Sequence, residues 1–558
     1  MATVVVAIAL GSCGNGSAKS GSGTWAHDGE FRKFDDVRLK FLSVWNGGKL
    51  VPKDQYNNPV AKAIRDKIGV TVEMEGIMMN ETEKLNLMFA SMDFPDFFHA
   101  PYWGGEAGET AVLKKAMDDG LLLDIKPYLD DYPNIKKAYE IGTISQLFYE
   151  RDINRNGAYY AIPEGTPGSE LNIINWGYGV FVRGDVPKAL GIDPASIQTS
   201  KDLIDMMRAA RNYGFKDRNG NPVQIIGTGF HDGWGLQEFL QPFARNQFTD
   251  FVLLPDGTVT YNDLTDLWMN SQLFVWQMVN EGLYDVEAFR HTGAQADEKV
   301  GNGKALFAGA QFNSSIQATL RTGMYSSNPE MRFTPLGPFL DANNNKFVQY
   351  ESYGATGSGA IFIPYTEDQE KIHAILTYLE YLNTPEGMEL ATYGIEGQTF
   401  VRNDAGQPRL TPELLQLAAS GGDLGEQLRE RVGAGYFNLF LAVTAVEWFG
   451  EREPGNESAT LPELLDWRSR KPIVRREGWP IDSFQSEFPR IDEVRSAFFD
   501  GDPGRDYRER AYFAPTKEAA RAILEQWQTY LRTYRNGLFM EYVDFIGNQR
   551  DRRPDVKF

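Results

Sequence analysis

The sequence predicts an α/β protein built on a parallel sheet. Strand-like apolar runs alternate with helical patterns through the first hundred residues, the spacing that a parallel sheet with crossover helices requires. Helix starts carry capping residues, as at Asn58-Pro59. Apolar stripes follow them at helical spacing.

The elements follow in chain order. Arg38–Trp45 reads as a buried strand. A helix opens at Asn58-Pro59, with Val60, Ile64 and Ile68 on one face. Val70, Val72 and Met74 alternate as in a strand, and Asn80-Glu81-Thr82-Glu83 reads as a capping box. Leu85, Met88, Phe89 and Met92 give the next helix its stripe, and Pro95–Phe98 begins a third strand. Further strands are expected at Tyr159–Pro163, Trp176–Arg183, Gly303–Phe312 and Gly357–Pro364. Helices are expected at 185–191, Ser200–Tyr213, 233–248 and 263–282. Another starts at Thr366, with Thr366 and Gln369 as its capping box, and a last one follows Thr384-Pro385. From 410 onward the pattern is mostly helical, and no fixed-period repeat occurs.

Composition narrows the function. The 558 residues hold 42% hydrophobic and 24% charged side chains, a globular balance with ample chain for a core. The net charge of −20 argues against nucleic acid, whose phosphates need a basic face. Residues 451–558 hold 19 basic and 20 acidic side chains, so the acidic excess lies in the first 450. One cysteine excludes an internal disulfide and any multi-cysteine zinc site.

That cysteine closes a short apolar run. Residues 2–10 have the length of a signal-peptide hydrophobic region, too short to span a membrane. Leu10-Gly11-Ser12-Cys13 resembles a bacterial lipobox, and a Gly/Ser tether follows to Gly23. Cys13 is therefore the expected lipidation site.

Eight segments in order resemble one family. They are Leu10–Cys13, Met92–Asp96, Gly120–Ile125, Asn156–Pro163, Phe181–Asp185 with Leu190-Gly191, Gly303–Phe307, Asn383–Gly387 and Tyr393–Gly397. The chain resembles the family 1 extracellular solute-binding proteins of ABC importers, the maltose-binding-protein-like group. Within it, the chain is similar to the large lipoprotein branch that includes alginate-oligosaccharide binders. The resemblance covers about residues 10–400; the rest matches only in length and helical character. It implies a two-lobed periplasmic-binding-protein-like fold with an interlobe cleft and a helical C-terminal extension. The expected division is 1–13 signal peptide with lipobox, 14–34 tether, 35–160 and 353–400 first lobe, and 165–350 and 401–558 second lobe with helical tail. Hinges are expected near Tyr160–Gly165 and Gln349–Gly354.

A sugar site needs aromatic faces and polar partners for hydroxyls. The candidates lie in loops next to strand ends, where open α/β sheets bind ligands. They are Trp45, Asp96, Tyr102, Trp103, Tyr160, Trp176, His231, Trp234, Gln311, Phe312, Tyr350 and Tyr353. Phe312 falls where the maltose-binding-protein-like group places a stacking tryptophan. Any one of these aromatics has core packing as its alternative reading. Trp268 and Trp276 share a helix with Leu267, Leu273 and Val275 and read as core.

Asp217, Asn219 and Asn221 resemble the start of a calcium loop, which in alginate-binder relatives holds calcium. Here the sixth residue is Pro222, and Ile225 and Ile226 stand where relatives supply carboxylates. An Asn-Gly turn between strands is the alternative. No cofactor is otherwise expected. Enzyme motifs are absent: the five histidines form no HExxH pattern, and Thr356–Ala360 lacks the first glycine of a GxSxG elbow.

The expected protein is a monomeric, lipid-anchored, extracytoplasmic binder. It captures an oligosaccharide and delivers it to ABC permease subunits. The alternatives are a surface-anchored polysaccharide hydrolase or lyase, and a binding protein that feeds a sensor.

Overall fold

A computed structural model describes residues 26–27, 30–45, 51, 57–78, 82–101, 108–140, 154–155, 157–165, 178–229, 235–243, 251–254, 256–311, 319, 324–337, 339–340, 359–419, 424–443, 485, 487–499 and 502–549. Nine strands form its two larger sheets. They are β1 (Val37–Trp45), β2 (Val70–Met78), β3 (Phe97–Pro101), β4 (Ala161–Pro163), β5 (Tyr178–Arg183), β6 (Ile225–Thr228), β7 (Ala305–Gln311), β8 (Phe333–Pro335) and β9 (Gly359–Phe362). The helices that matter here are α1 (Pro59–Ile68), α2 (Thr82–Ser91), α3 (Ser200–Tyr213), α4 (Asp266–Asn280), α5 (Gln369–Leu382), α6 (Pro503–Tyr512), α7 (Lys517–Thr533) and α8 (Leu538–Gly547).

The first sheet has the order β2-β1-β3-β9-β4. β1 runs parallel to β2 and β3, and β9 runs antiparallel to β3 and β4. Because side chains alternate across a strand, its residues feed two cores. Leu39 and Phe41 of β1, Phe97 of β3 and Ile361 of β9 join Val60, Ile64 and Ile68 of α1. Val44, Phe98, Ala360 and Phe362 join Leu85 and Phe89 of α2 on the other face. Each fully buried aliphatic or aromatic side chain contributes roughly 1.5–3 kcal/mol, so the sheet is held from both sides.

Local chemistry sets α1 where the sequence predicts it. Asn58 Oδ1 accepts the Ala61 N–H at 2.8 Å, and Pro59 takes the first helical position. Gly69 ends the helix at φ 71°, and a Cβ there would sit 1.9 Å from the Phe34 carbonyl oxygen. Only glycine meets both conditions.

The second sheet has the order β6-β7-β5-β8. β6 and β7 are parallel, and β5 is antiparallel to β7 and β8. α3 packs Leu203, Met206, Met207 and Ala210 beneath it. α4 bridges two cores. Its Phe274, Val275 and Met278 face this sheet, and its Trp268, Met269 and Leu273 face the C-terminal helices. There Trp527 of α7 donates to Asp263 at 2.9 Å, and Trp276 donates to the Ala514 carbonyl at 2.9 Å. These tryptophans are scaffold.

Three expectations are corrected. Residues 401–443, expected with the second lobe, pack into the first sheet's core through Leu410, Leu414, Leu428, Phe437 and Phe440. An apolar stripe reports that a helix is buried, not which sheet covers it. The helix expected over 233–248 is, in its described part, a 3-10 helix at Leu236–Phe243, with Pro242 removing a helical N–H. And α5 is capped by Asp368, whose carboxylate accepts the Lys371 N–H at 3.1 Å, while Thr366 instead accepts from the Asp368 N–H. Lys67, Arg402 and other surface cations pair with carboxylates around these cores.

Candidate functional site

α1 and α2 leave the first sheet on opposite faces, so the strand order reverses between β1 and β3. An open α/β sheet binds its ligand in the crevice outside the strand carboxyl ends at such a switch point. Here those ends are Trp45 and Pro101. Two more strand ends reach the same edge. Gly359, the first residue of β9, pairs with Pro101, and Pro163, the last of β4, pairs with Ala360.

The edge has a polar floor. Ser43 of β1 lies opposite His99 of β3. His99 is buried, and its Nε2 lies 2.8 Å from Oε2 of Glu164, the residue after β4. The Glu164 N–H reaches the Gly359 carbonyl at 3.3 Å. Gly165 follows at φ 63° and donates to the Leu441 carbonyl at 2.7 Å.

The second sheet has a matching edge. The carboxyl ends of parallel β6 and β7 are Thr228 and Gln311, and Gln311 pairs with Tyr178 at the start of β5. Beside it a charge cluster is closed on itself. Asp285 accepts from Thr228 at 3.1 Å and from Lys299 at 2.7 Å, and Lys299 also meets Glu287 at 2.9 Å. Burial lowers the Lys299 pKa, but the Asp285 and Glu287 carboxylates outweigh it and hold the ammonium above its ordinary value.

The sequence-predicted residues divide as follows. Trp45 ends β1 and Gln311 ends β7, each by its backbone at the carboxyl edge of its sheet. Tyr102, Trp103, Trp176, His231, Trp234, Phe312, Tyr350, Tyr353 and Cys13 lie outside the described residues. In sequence, Tyr102-Trp103 follows β3, Trp176 precedes β5, His231 and Trp234 follow β6, and Phe312 follows β7.

Two candidates sit elsewhere. Tyr160 precedes β4, at the strand's other end from Glu164, and packs half-buried against the Leu85–Phe362 core. Asp96 precedes β3, at the end opposite Pro101. Its carboxylate accepts the Lys40 N–H at 2.7 Å and pairs with Lys371 at 2.7 Å. The turn that carries Asp96 is a corner of the scaffold. Sequence reading missed His99 and Glu164. The available signal was a lone polar residue after Phe97-Phe98, on the Phe97 side of an otherwise apolar strand.

The Asp217 loop does not fit calcium. The ion takes six to eight oxygens. Asp217 Oδ1 already accepts the Asn219 and Asn221 N–H groups at 2.8 and 2.9 Å, and Oδ2 accepts Asn221 Nδ2 at 3.2 Å. Burial raises the Asp217 pKa, but those N–H donors and the Lys304 charge outweigh it and hold the carboxyl below its ordinary value. Ile226 is buried in the second sheet's core and offers no oxygen. Among the described residues no group of three His, Cys, Asp or Glu side chains is placed to hold a metal. The loop is an Asx turn sealed by its own amides. Excess EDTA is accordingly expected to move the thermal midpoint by less than about 1 °C, and added calcium likewise; a calcium-dependent rise of several degrees, as linkage gives for a tight site, would contradict the assignment.

The chain is similar to known proteins in sequence and in fold. No family model matches it. It is 26% identical over 291 residues to the fructooligosaccharide ABC transporter substrate-binding protein FusA of Streptococcus pneumoniae, covering 50% of this chain and 51% of that protein. It is 22% identical over 368 residues to lipoprotein LipO of Bacillus subtilis, covering 63% of this chain and 66% of that one. The chain thus spans about half the length of one curated relative and about two-thirds of the other. In structure it is similar to FusA of S. pneumoniae in complex with kestose, with TM-score 0.64, 18% identity, and 93% and 99% of the two chains covered. It is also similar to the alginate-binding protein AlgQ2 without calcium ion, with TM-score 0.63, 17% identity, and 95% and 99% covered. In sequence the chain is thus similar to the substrate-binding protein of an ABC transporter, and its fold is similar to the two-lobed α/β fold of FusA and AlgQ2.

Proposed function

We propose that the chain captures an oligosaccharide between two α/β lobes and delivers it, intact, to the permease of an ABC importer. The observation that carries this reading is the register of the two sheets. It brings the ends of β1, β3 and β4 to one edge and the ends of β6 and β7 to another, and most of the aromatic candidates adjoin those ends in sequence. The relatives FusA and AlgQ2, by name a fructooligosaccharide binder and an alginate binder, support a carbohydrate ligand. Closure works by population shift: a ligand that touches both lobes favours the closed state by its extra contacts there.

The lobes are proposed to be 35–160 with 353–443, and 165–350 with the helical tail, joined near 160–165 and 349–354. The chain is proposed to act as a binder rather than an enzyme, as a monomer, outside the cytoplasm. Leu10–Cys13 is proposed to anchor it through a lipid on Cys13, a reading that the lipoprotein name of LipO supports. Among the described residues, no helix is long and apolar enough to cross a membrane.

A thermal-shift screen against neutral and acidic oligosaccharides tests the binding. At a hundred times its Kd the true ligand adds about 2.7 kcal/mol, a rise of several degrees. A panel with no rise would count against the reading. For the anchor, Cys13→Ala is expected to move the protein from the membrane to the soluble fraction; retention in the membrane would contradict lipidation.

A further inference from the structure

We propose that Glu164 is a ligand-contacting carboxylate, held in place by His99, and that it selects neutral, hydroxyl-rich sugars over uronic ones. The proposal rests on the oligosaccharide-binding reading and deepens it.

The geometry fixes Glu164 from three sides. Its N–H is bound to Gly359, the N–H of the next residue is bound to Leu441, and its Oε2 lies 2.8 Å from His99 Nε2. His99 is spent on this contact at some cost, because a buried imidazole forfeits its hydration. Its side chain is 3% exposed, while that of Glu164 is 24% exposed. One end of the pair is therefore sunk in the sheet and the other opens at its edge. Room for the ring comes from Gly359, where a Cβ would lie 2.3 Å from His99 Nε2. A histidine inside β3, the first residue of β9 and the Leu441 carbonyl thus converge on holding one carboxylate at the switch-point crevice.

The chemistry of that carboxylate is specific. With Oε2 engaged by His99, Oε1 has no hydrogen-bond partner among the described residues. An ionised carboxylate only accepts, so it is complementary to hydroxyl donors. It repels a uronate carboxylate brought to the same place. The acidic excess of the first 450 residues acts in the same direction over a Debye length of roughly 8 Å at physiological salt. His99 is a positioning residue: it acts on the ligand only through Glu164.

The test is calorimetry on the full chain with neutral trisaccharides and with uronic trisaccharides of the same length. Wild type is expected to bind at least one neutral sugar, and every uronic one at least a hundredfold more weakly. Glu164→Gln is expected to weaken the neutral ligand ten- to a hundredfold and to narrow the gap to the uronic sugars. The melting temperature of the unliganded variant stays within about 2 °C. His99→Leu is expected to weaken binding similarly, His99→Gln, which keeps an N–H donor, to restore most of it, and His99→Leu to cost nothing further in the Glu164→Gln background. Uronic sugars bound as tightly as neutral ones, or Glu164→Gln at wild-type affinity, would overturn the proposal while leaving sugar binding intact. No binding of any sugar by wild type would overturn both.

Discussion

Asn383→Ala is expected to cost about 3–5 kcal/mol, among the largest losses available to a single change in this chain. The side chain is 2% exposed and fully used. Its Nδ2 donates to the Leu379 carbonyl at 2.8 Å and to the Phe440 carbonyl at 2.9 Å. Its Oδ1 accepts the Ala442 N–H at 2.7 Å and the Val443 N–H at 3.4 Å. Alanine orphans the Phe440 carbonyl and the Ala442 and Val443 N–H groups in a place water does not reach, while the Leu379 carbonyl keeps the backbone N–H of residue 383; each buried unsatisfied group costs roughly 1–3 kcal/mol. Asn383→Asp is expected to be at least as harmful, because it keeps the acceptors, loses the donor and buries a charge. Urea unfolding checks both. The midpoint should fall with little change in slope. A loss under about 1 kcal/mol would mean that the 437–443 segment is held by its aromatic packing alone.

Arg183→Ala is expected to cost a comparable 3–5 kcal/mol. The guanidinium is fully buried. It forks onto Asp185 through Nε at 2.7 Å and Nη2 at 2.8 Å, and donates from Nη1 to the Gly303 carbonyl. Truncation strands the Asp185 carboxylate and the Gly303 carbonyl and opens a cavity beside Phe215, whose ring centre lies 5.7 Å from the guanidinium carbon. Arg183→Lys is expected to recover only part of this, since an ammonium cannot fork. Thermal melts of the three proteins should rank wild type, Arg183→Lys and Arg183→Ala in that order. An Arg183→Lys variant as stable as wild type would show that the fork adds nothing beyond charge.

Both residues belong to segments that carry the family resemblance, Asn383–Gly387 and Phe181–Asp185. Their work is structural, which explains what was legible in the sequence. Caps, stripes and signature turns report local physics, so α1, α3 and the order of β1 to β3 follow from them. The predicted helix Ser200–Tyr213 has those bounds in the structure, with Thr199 and Asp202 closing a capping box.

Partnership across the chain is harder to read. Leu410 and Leu428 show an apolar face, but only the fold reveals that they cover the first sheet. The site was legible mainly as a set of loops. Aromatic residues beside strand ends were visible. The His99–Glu164 pair was not, because its members are 65 residues apart and meet only when β4 is laid beside β9. Tyr160, the candidate on that short segment, lies at the strand's other end from Glu164, against a core. Asp96 misled for the same reason: a signature turn marks where a strand begins, and ligands gather where strands end.

In its proposed function this fold holds an oligosaccharide and releases it unchanged. The direct measurement is calorimetry on the purified chain with a panel of oligosaccharides, followed by mass analysis of the recovered sugar. The expected result is one-to-one binding of at least one sugar and full recovery of that sugar at its original length. Recovery of shortened or unsaturated products, or no heat with any member of the panel, would contradict it.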